Sequence, residues 1–505
     1  MSQIDLNSPI YKQQLLRLSQ NWKLTPATFA HKISRGTWIP APHLRYIASR
    51  IATGIMRGNA RIIISAPPRH GKSQLSSIYT PAWILETFPQ YKTILAGYGA
   101  ELATGFSRQV RDIFLDESNM ADLSTRVRQD ASRVEAFLTE KGGGMYAVGL
   151  GGAITGRGAN VLIIDDYIKE IKEALSPAYR DYVWNWFTTT AFTRLEPGGS
   201  CIIIATRWHS DDLIGRILQN FPGQWEYIEI PAEAEENDLL GRKPGEALFP
   251  ERYPIERLNE LRETLGTIFY QALYQQKPVD ETKKISDGSW LKTIPEVPPA
   301  DLPNVRLARI WDLAATQDGG DYTTGTLLGH SAVTGNTYVM NVVRKQHSPG
   351  QVEELVRNTA LADGEGVKIR IEQEPGSAGK SLVHHYKVGV LPEFDVDGIP
   401  VTKAKLVRAQ PFIAAAEAGK VLMVAGKWNA AFTKEFDEFP AGPHDDQVDT
   451  ASAGYTFLTG KKVYSATWGR TSKSRTANSN SLKRAQSTGA LRPKARISGA
   501  TFGRF

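Results

Sequence analysis

A chain of 505 residues is too long for one ordinary core, and 41% apolar with 22% charged residues supplies ample material for buried sheets, which excludes bulk disorder. The single cysteine, Cys201, excludes an internal disulfide and a cysteine zinc cluster. The net charge of +7 belongs to one end: Lys461 to Phe505 holds 11 Lys and Arg and no Asp or Glu, which leaves residues 1–460 at −4.

The opening residues MSQIDLNSPIYKQQ lack the basic, apolar and small-residue zones of a secretion signal, and no apolar run approaches the ~20 residues of a bilayer crossing. The expectation is a cytoplasmic protein without a membrane. From about Arg61 to Pro231 the β-branched runs RIIISA, KTILAG, NVLIIDD, CIIIAT and EYIEI alternate with helix-like segments of crossover length. Continuous apolar runs of this kind predict an α/β domain whose parallel sheet is covered on both faces. Cys201, in the fourth run, reads as a buried strand position.

The run RIIIS leads directly into Ala66-Pro67-Pro68-Arg69-His70-Gly71-Lys72-Ser73. A loop that wraps phosphate needs backbone N–H groups turned inward, a lysine for the β and γ phosphates and a hydroxyl on Mg²⁺. Pro68 through Ser73 fit that cradle, with Lys72 on the phosphates of ATP and Ser73 on the metal, although Ala66 replaces the first glycine of the usual pattern. Further on, Val161-Leu162-Ile163-Ile164-Asp165-Asp166 delivers two acids to a strand's end. An ASCE-type P-loop ATPase places there its Mg²⁺ carboxylate, here Asp165, and the carboxylate that polarises attacking water, here Asp166. Glu170 is the less favoured substitute for the second role.

Upstream of those acids, Arg157 sits on the glycine-flanked loop Thr155-Gly156-Arg157-Gly158, where a mobile guanidinium can serve as an arginine finger. Arg69, inside the phosphate loop, is the rival acting in cis. Thr206 and Arg207 end the run CIIIATRWH, where a polar side chain can sense the γ phosphate.

The segment Ile294 to Pro303 carries four prolines and reads as a stiff linker, assigned to residues 281–304 between an ATPase domain (1–280) and a second domain (305–460). That second domain begins with three strand-like runs, RLARIWD, YTTGTLLGH and NTYVMNVVR, then the helical QVEELVRNTALAD and the strand VKIRIEQE. Three adjacent strands, a helix and a further strand follow the order of a ribonuclease H-like fold. Its dispersed acids are Asp312, Asp321, Glu372, Glu374, Asp445, Asp446 and Asp449. Two-metal cleavage of a phosphodiester, with Mg²⁺ or Mn²⁺, gathers carboxylates from separate strands and a helix. Asp312 and Glu372 terminate apolar strands and Asp445 opens the helical segment VDTASAGYTFL, so these three are the favoured catalytic set. Glu374 shares a strand face with Glu372, Asp446 and Asp449 share a helix face, and Asp318 competes with Asp321. The tail 461–505, rich in Ser, Thr, Ala and Gly, reads as a disordered basic arm for an anionic polymer such as DNA. From these residues, a DNA-bound nucleotide switch and a repair helicase-nuclease remain alternatives to a motor.

PPRHGKS, LIIDD, ATRWHSDDLIGR, FYQALYQQKP, WDLAATQDGGDYT, IEQEPGSAGK and HDDQVD, in this order, resemble the large terminase subunit of tailed bacteriophages over about residues 40–460. The resemblance implies ATP-driven packaging of double-stranded viral DNA into a procapsid, with endonucleolytic cutting of the concatemer, in the cytoplasm of a bacterial host. It implies a small terminase subunit and the portal protein as partners, and a homo-oligomeric ring in which Arg157 acts in trans. It also suggests His43 or Gln13 as the polar contact to adenine. The pattern departs from the family at Ala66 and at Asp166, where most relatives have Glu, and this leaves the water-activating group open.

Overall fold

The computed structural model describes residues 21–460 apart from 153, 155, 279, 281–283, 315–321 and 402–403. Gln13, Asp318, Asp321 and the basic tail therefore lie outside the described residues.

The first half is built on eight strands: β1 (Arg61–Ser65), β2 (Lys92–Gly97), β3 (Val127–Ser132), β4 (Ala136–Thr139), β5 (Gly144–Gly149), β6 (Ala159–Asp165), β7 (Leu195–Ala205) and β8 (Glu226–Glu229). Their order is β3-β4-β5-β2-β6-β7-β1-β8. The six from β5 to β8 are parallel; five of them are the apolar runs read in the sequence, β5 (GMYAVG) is an addition, and β3 and β4 extend the β5 edge antiparallel. Strand β7 separates β1 from β6, the insertion that gives an ASCE-type ATPase its name.

Alternation along these strands sends side chains to two cores. Ile62, Ile64, Val161, Ile163, Ile202 and Ile204 pack under the helices Pro42–Arg57 and Ala100–Leu115. Ile63, Leu162, Ile164, Cys201 and Ile203 face the other side, against the helices Pro177–Trp186 and Ile255–Leu273. Cys201 is fully buried there, and burial pushes its thiol up to about 12.

Seven further strands form the second sheet: β9 (Lys292–Ile294), β10 (Val305–Asp312), β11 (Thr323–Ser331), β12 (Thr337–Lys345), β13 (Lys368–Gln373), β14 (Val396–Pro400) and β15 (Val421–Val424), in the order β14-β13-β10-β11-β12-β15-β9. The meander β10-β11-β12 is antiparallel, and β13 lies parallel to β10 after the crossover helix Pro349–Asp363. This is a ribonuclease H-like mixed sheet. The proline-rich segment before it is docked upon it: β9 pairs with β15, and buried Asp301 accepts hydrogen bonds from Ser331, Thr334 and Tyr338.

The two halves belong to one compact unit. One apolar core runs from the ATPase sheet through Leu258, Phe269 and Tyr270 to Phe412, Phe436, Ile310 and Leu328 of the second domain. Among the described residues no helix is long and apolar enough to cross a membrane.

Candidate functional site

Two polar centres lie at strand ends, one on each sheet. The first follows β1. Ala66 is buried, and its N–H donates to the carbonyl of Ala205 (3.4 Å). It is absent from the positive-φ residues, whereas Gly71 has φ +87° and, with a Cβ, would stand 3.0 Å from Leu44. Glycine is therefore needed at 71 and not at 66, which explains why the pattern tolerates Ala66.

The loop then feeds into a π-helical turn, Gln74–Tyr79, and the helix Thr80–Thr87. Lys72 Nζ donates to Thr206 Oγ1 at the end of β7 (2.5 Å) and lies 3.6 Å from Asp166 Oδ1. Ser73 Oγ and Ser77 Oγ donate to the two oxygens of Asp165 at the end of β6 (3.2 and 2.6 Å). Burial raises the Asp165 carboxyl above the carboxylate range, with Asp166 adding to it and Ser77, Lys72 and Ser73 opposing. Asp166 adopts φ +44°, rare for a residue with a side chain, and accepts from the N–H of Thr206 (3.3 Å). Lys72, Ser73, Asp165, Asp166 and Thr206 thus meet at the carboxyl ends of three adjacent strands.

Two side chains support this centre, and the first of them escaped the sequence pattern. Ser77, one turn beyond Ser73, is a second hydroxyl on Asp165. His43 lies beneath the loop: its Nε2–H donates to the carbonyl of His70 (2.8 Å), while His70 Nδ1–H donates to Pro68 O (2.8 Å) and its ring stacks on Tyr253. Burial lowers His43 to about 4 and His70 to about 3, so both remain neutral struts. The structure gives His43 the role of holding the loop.

Arg69 (φ +60°) is exposed on the loop. Arg157 precedes β6, and its guanidinium lies over the Tyr146 ring of β5 (4.5 Å). Tyr146 is level with Leu162 across β2, three residues before Asp165 closes β6. The backbone of Arg157 thus enters β6 at the end away from the phosphate loop, with its guanidinium over a ring part-way along the sheet. Glu170 precedes the short helix Ile171–Ala174.

The second centre lies between β10, β13 and the helix Asp446–Thr459. Trp311 is level with Ile371, so Asp312 and Glu372, one step further on, leave adjacent parallel strands side by side. The helix packs across β10 and β11, with Thr450 bonded to Thr326 (2.7 Å), and this brings Asp449 to the same point. Burial first, then Asp312, push Glu372 up to about 7, with Arg408 opposing and Asp449 adding. Burial likewise pushes Asp449 up to about 6, against Arg408 and with Asp445. Asp449 Oδ1 is buried and has no hydrogen-bond partner among the described residues.

The remaining predicted acids separate. Asp445, at the helix N-cap, receives Lys405 Nζ on both oxygens (2.8 Å). Asp446 Oδ2 lies 3.7 Å from Arg344 Nη2, whereas Asp449 meets Arg408. Glu374 falls beyond the end of β13 and is exposed. Asp321 lies outside the described residues. Arg408 and Lys405 are the residues no motif marked, because they come from a helix, Lys405–Glu417, whose sequence shows only core spacing. Among the described residues no three His, Cys, Asp or Glu side chains stand at metal-ligand spacing. The carboxylates converge on Arg408 instead: Nη2 lies 3.0 Å from Asp449 Oδ2 and Nη1 3.3 Å from Glu372 Oε1.

A search of curated proteins finds no match. Among solved structures, the chain is similar to the large terminase of a thermophilic bacteriophage at 13% identity and TM-score 0.44, covering 80% of this chain and 95% of that one. It is similar to the HK97 bacteriophage large terminase at 11% identity and TM-score 0.36, covering 83% and 95%. The P22 large terminase nuclease domain matches at 12% identity and TM-score 0.27, covering 34% and 89%. Residues 63–292 match the family profile "Terminase large subunit, T4likevirus-type, N-terminal", and residues 309–456 match "Terminase RNaseH-like domain". With those two profiles in this order over most of the polypeptide, on a P-loop sheet followed by a ribonuclease H-like sheet, the chain belongs to the large terminase subunits of tailed bacteriophages, ATP-driven DNA translocases that carry their own nuclease.

Proposed function

We propose that this chain packages double-stranded viral DNA into a procapsid through its portal, hydrolysing ATP at the first centre and cutting concatemeric DNA with divalent metal at the second. The observation that carries the first half is the meeting of Lys72, Ser73, Asp165, Asp166 and Thr206 at three strand ends. In this reading the cradle Pro68–Ser73, with Arg69 and His70 in its wall, takes the phosphates of ATP. Ser73 and Asp165 hold Mg²⁺, Asp166 orients the attacking water, and Thr206 reports on the γ phosphate through Lys72. Arg157, on the loop that leads into β6, serves the nucleotide of a neighbouring subunit in a homo-oligomeric ring, while Arg69 remains the finger available in cis.

The second centre fits Mg²⁺ or Mn²⁺ by the chemistry of its donors. Asp312 and Glu372 sit side by side, Asp449 Oδ1 is a buried acceptor without a partner among the described residues, and Asp445 stands at the rim. Metal held there would supply a nucleophile and stabilise charge on the scissile phosphate. Asp321, Glu374 and Asp446 are reserve ligands in this reading. We assign the motor to residues 1–280, the connection to 281–304, the nuclease to 305–460 and a DNA-binding arm to 461–505. A small terminase subunit and the portal protein complete the machine, in the cytoplasm of the bacterial host.

The test is a pair of variants assayed for both activities. Lys72→Ala should abolish ATP hydrolysis and spare metal-dependent cutting, and Asp312→Ala should do the reverse. Loss of both activities in both folded variants would overturn the division into two sites.

A further inference from the structure

Two cations stand inside the nuclease centre, and both come from the helix Lys405–Glu417. Lys405 is at the rim, its side chain 57% exposed, with Nζ 2.8 Å from Asp445 and 4.0 Å from Asp449 Oδ2. Arg408, one turn later on the same face, is embedded: its side chain is 16% exposed and lies between Glu372 and Asp449, themselves 10% and 5% exposed. Two buried carboxylates this close to Asp312 repel one another, and the guanidinium neutralises them with charge-assisted hydrogen bonds. It takes Asp449 Oδ2 and both oxygens of Glu372 (3.3 and 3.5 Å) and leaves Asp449 Oδ1 open, so a divalent cation drawing on both carboxylates would meet the guanidinium at Glu372 and its positive charge between the pair.

We infer that Arg408 is a positioning residue of the nuclease centre that competes with divalent metal: it holds Glu372 and Asp449 in place and must swing out before both can ligate an ion. The inference rests on the reading of these acids as a metal site. Hard cations require carboxylate oxygens free to coordinate, and a guanidinium bonded to them sets a threshold that the ion has to exceed.

The local backbone suits such a movement. Pro411 lies inside the helix and removes the bond its N–H would make to Val407 O, so the turn that carries Arg408 is tied less firmly than the rest. Around and beyond Pro411 the helix is anchored on the ATPase side, where Gln410 Nε2 donates to Leu265 O and Thr267 donates to Glu417. Arg408 therefore stands between the nuclease acids and a contact with the last helix of the motor.

The experiment titrates MnCl₂ into the full-length protein and reads free Mn²⁺ by electron paramagnetic resonance, alongside the Mn²⁺ concentration that half-saturates DNA cutting. Wild type, Arg408→Gln and Arg408→Lys are compared, with Asp312→Asn marking the ions that belong to this centre. The Asp312-dependent site of Arg408→Gln should bind Mn²⁺ about tenfold more tightly than wild type, with half-saturation falling in parallel and Arg408→Lys intermediate. Equal or weaker Mn²⁺ binding in Arg408→Gln and Arg408→Lys, in proteins that keep the wild-type ATPase rate and so are folded, would overturn the inference while leaving the metal reading intact. Absence of any Asp312-dependent Mn²⁺ site in every variant would instead overturn the metal reading, and the inference with it.

Discussion

Glu372 and Asp449 show how single side chains record their surroundings. Each is a carboxylic acid moved out of water onto a strand end or helix face beside other acids, and their values rise to about 7 and about 6. An unfolded chain returns them to about 4. The folded protein thus binds more protons across that interval, so their contribution to stability is complete below about pH 4 and is lost as pH rises through their folded values. In a metal chelator, wild type should lose thermal stability relative to Glu372→Gln between about pH 5 and pH 8, measured by denaturation scans. Parallel curves for the two proteins would sink this account. Asp166 illustrates a different residue-scale effect: its φ of +44° aims the carboxylate back at Lys72 and Thr206, which no motif of two adjacent aspartates reveals.

At the scale of elements, the helix Asp446–Thr459 is positioned by a cap from another helix. Glu435, on the helix Asn429–Glu438, accepts hydrogen bonds from the N–H groups of Gln447 and Val448 (2.6 and 3.3 Å) and from Gln447 Nε2 (2.6 Å). These are the first-turn donors that a helix leaves unsatisfied, and a negative charge there also favours the helix dipole. Burial raises the Glu435 carboxyl, with the Gln447 contacts and Arg344 opposing. Glu435→Ala should lower unfolding free energy by about 1–3 kcal/mol, the cost of orphaned buried donors. Denaturant unfolding would measure it, and cutting should fall further than ATP hydrolysis because Asp449 rides on this helix. The helix Ile255–Leu273 shows the same logic at a junction: Gly266, at φ +71°, kinks it where a Cβ would meet Ala414 at 3.0 Å, so the last ATPase helix can lie on the nuclease helix.

For the whole molecule, the continuous core through Phe269, Tyr270, Phe412 and Phe436 joins motor and nuclease into one compact unit. The body of 460 residues is net negative, so its attraction for DNA cannot come from total charge. The arm Lys461–Phe505 supplies that attraction if it contacts phosphate. Its deletion should weaken DNA binding and flatten the dependence of affinity on salt, since fewer counterions are then released from the duplex on binding. Affinity unchanged across a salt series would show the arm to be a bystander.

The sequence by itself determined five of the ATPase strands, the phosphate loop and the acids at the ends of β6, β10 and β13, because these depend on short-range patterns. An apolar run buried on both faces is continuous in sequence, and a phosphate cradle needs its residues consecutive. It also yielded the ribonuclease H-like order, since β10-β11-β12 are joined by neighbouring segments. Tertiary structure alone decided which acids meet: Asp446 and Asp449 share a helix face by spacing, yet one lies beside Arg344 while Arg408 receives the other. It alone brought in Ser77, Lys405, Arg408 and Glu435, whose partners lie on other elements. It also added the antiparallel β3-β4 edge and tied the proline-rich segment to β15 through β9. Such contacts are set by how elements pack, and the only trace they leave in the chain is an ordinary polar residue among core positions.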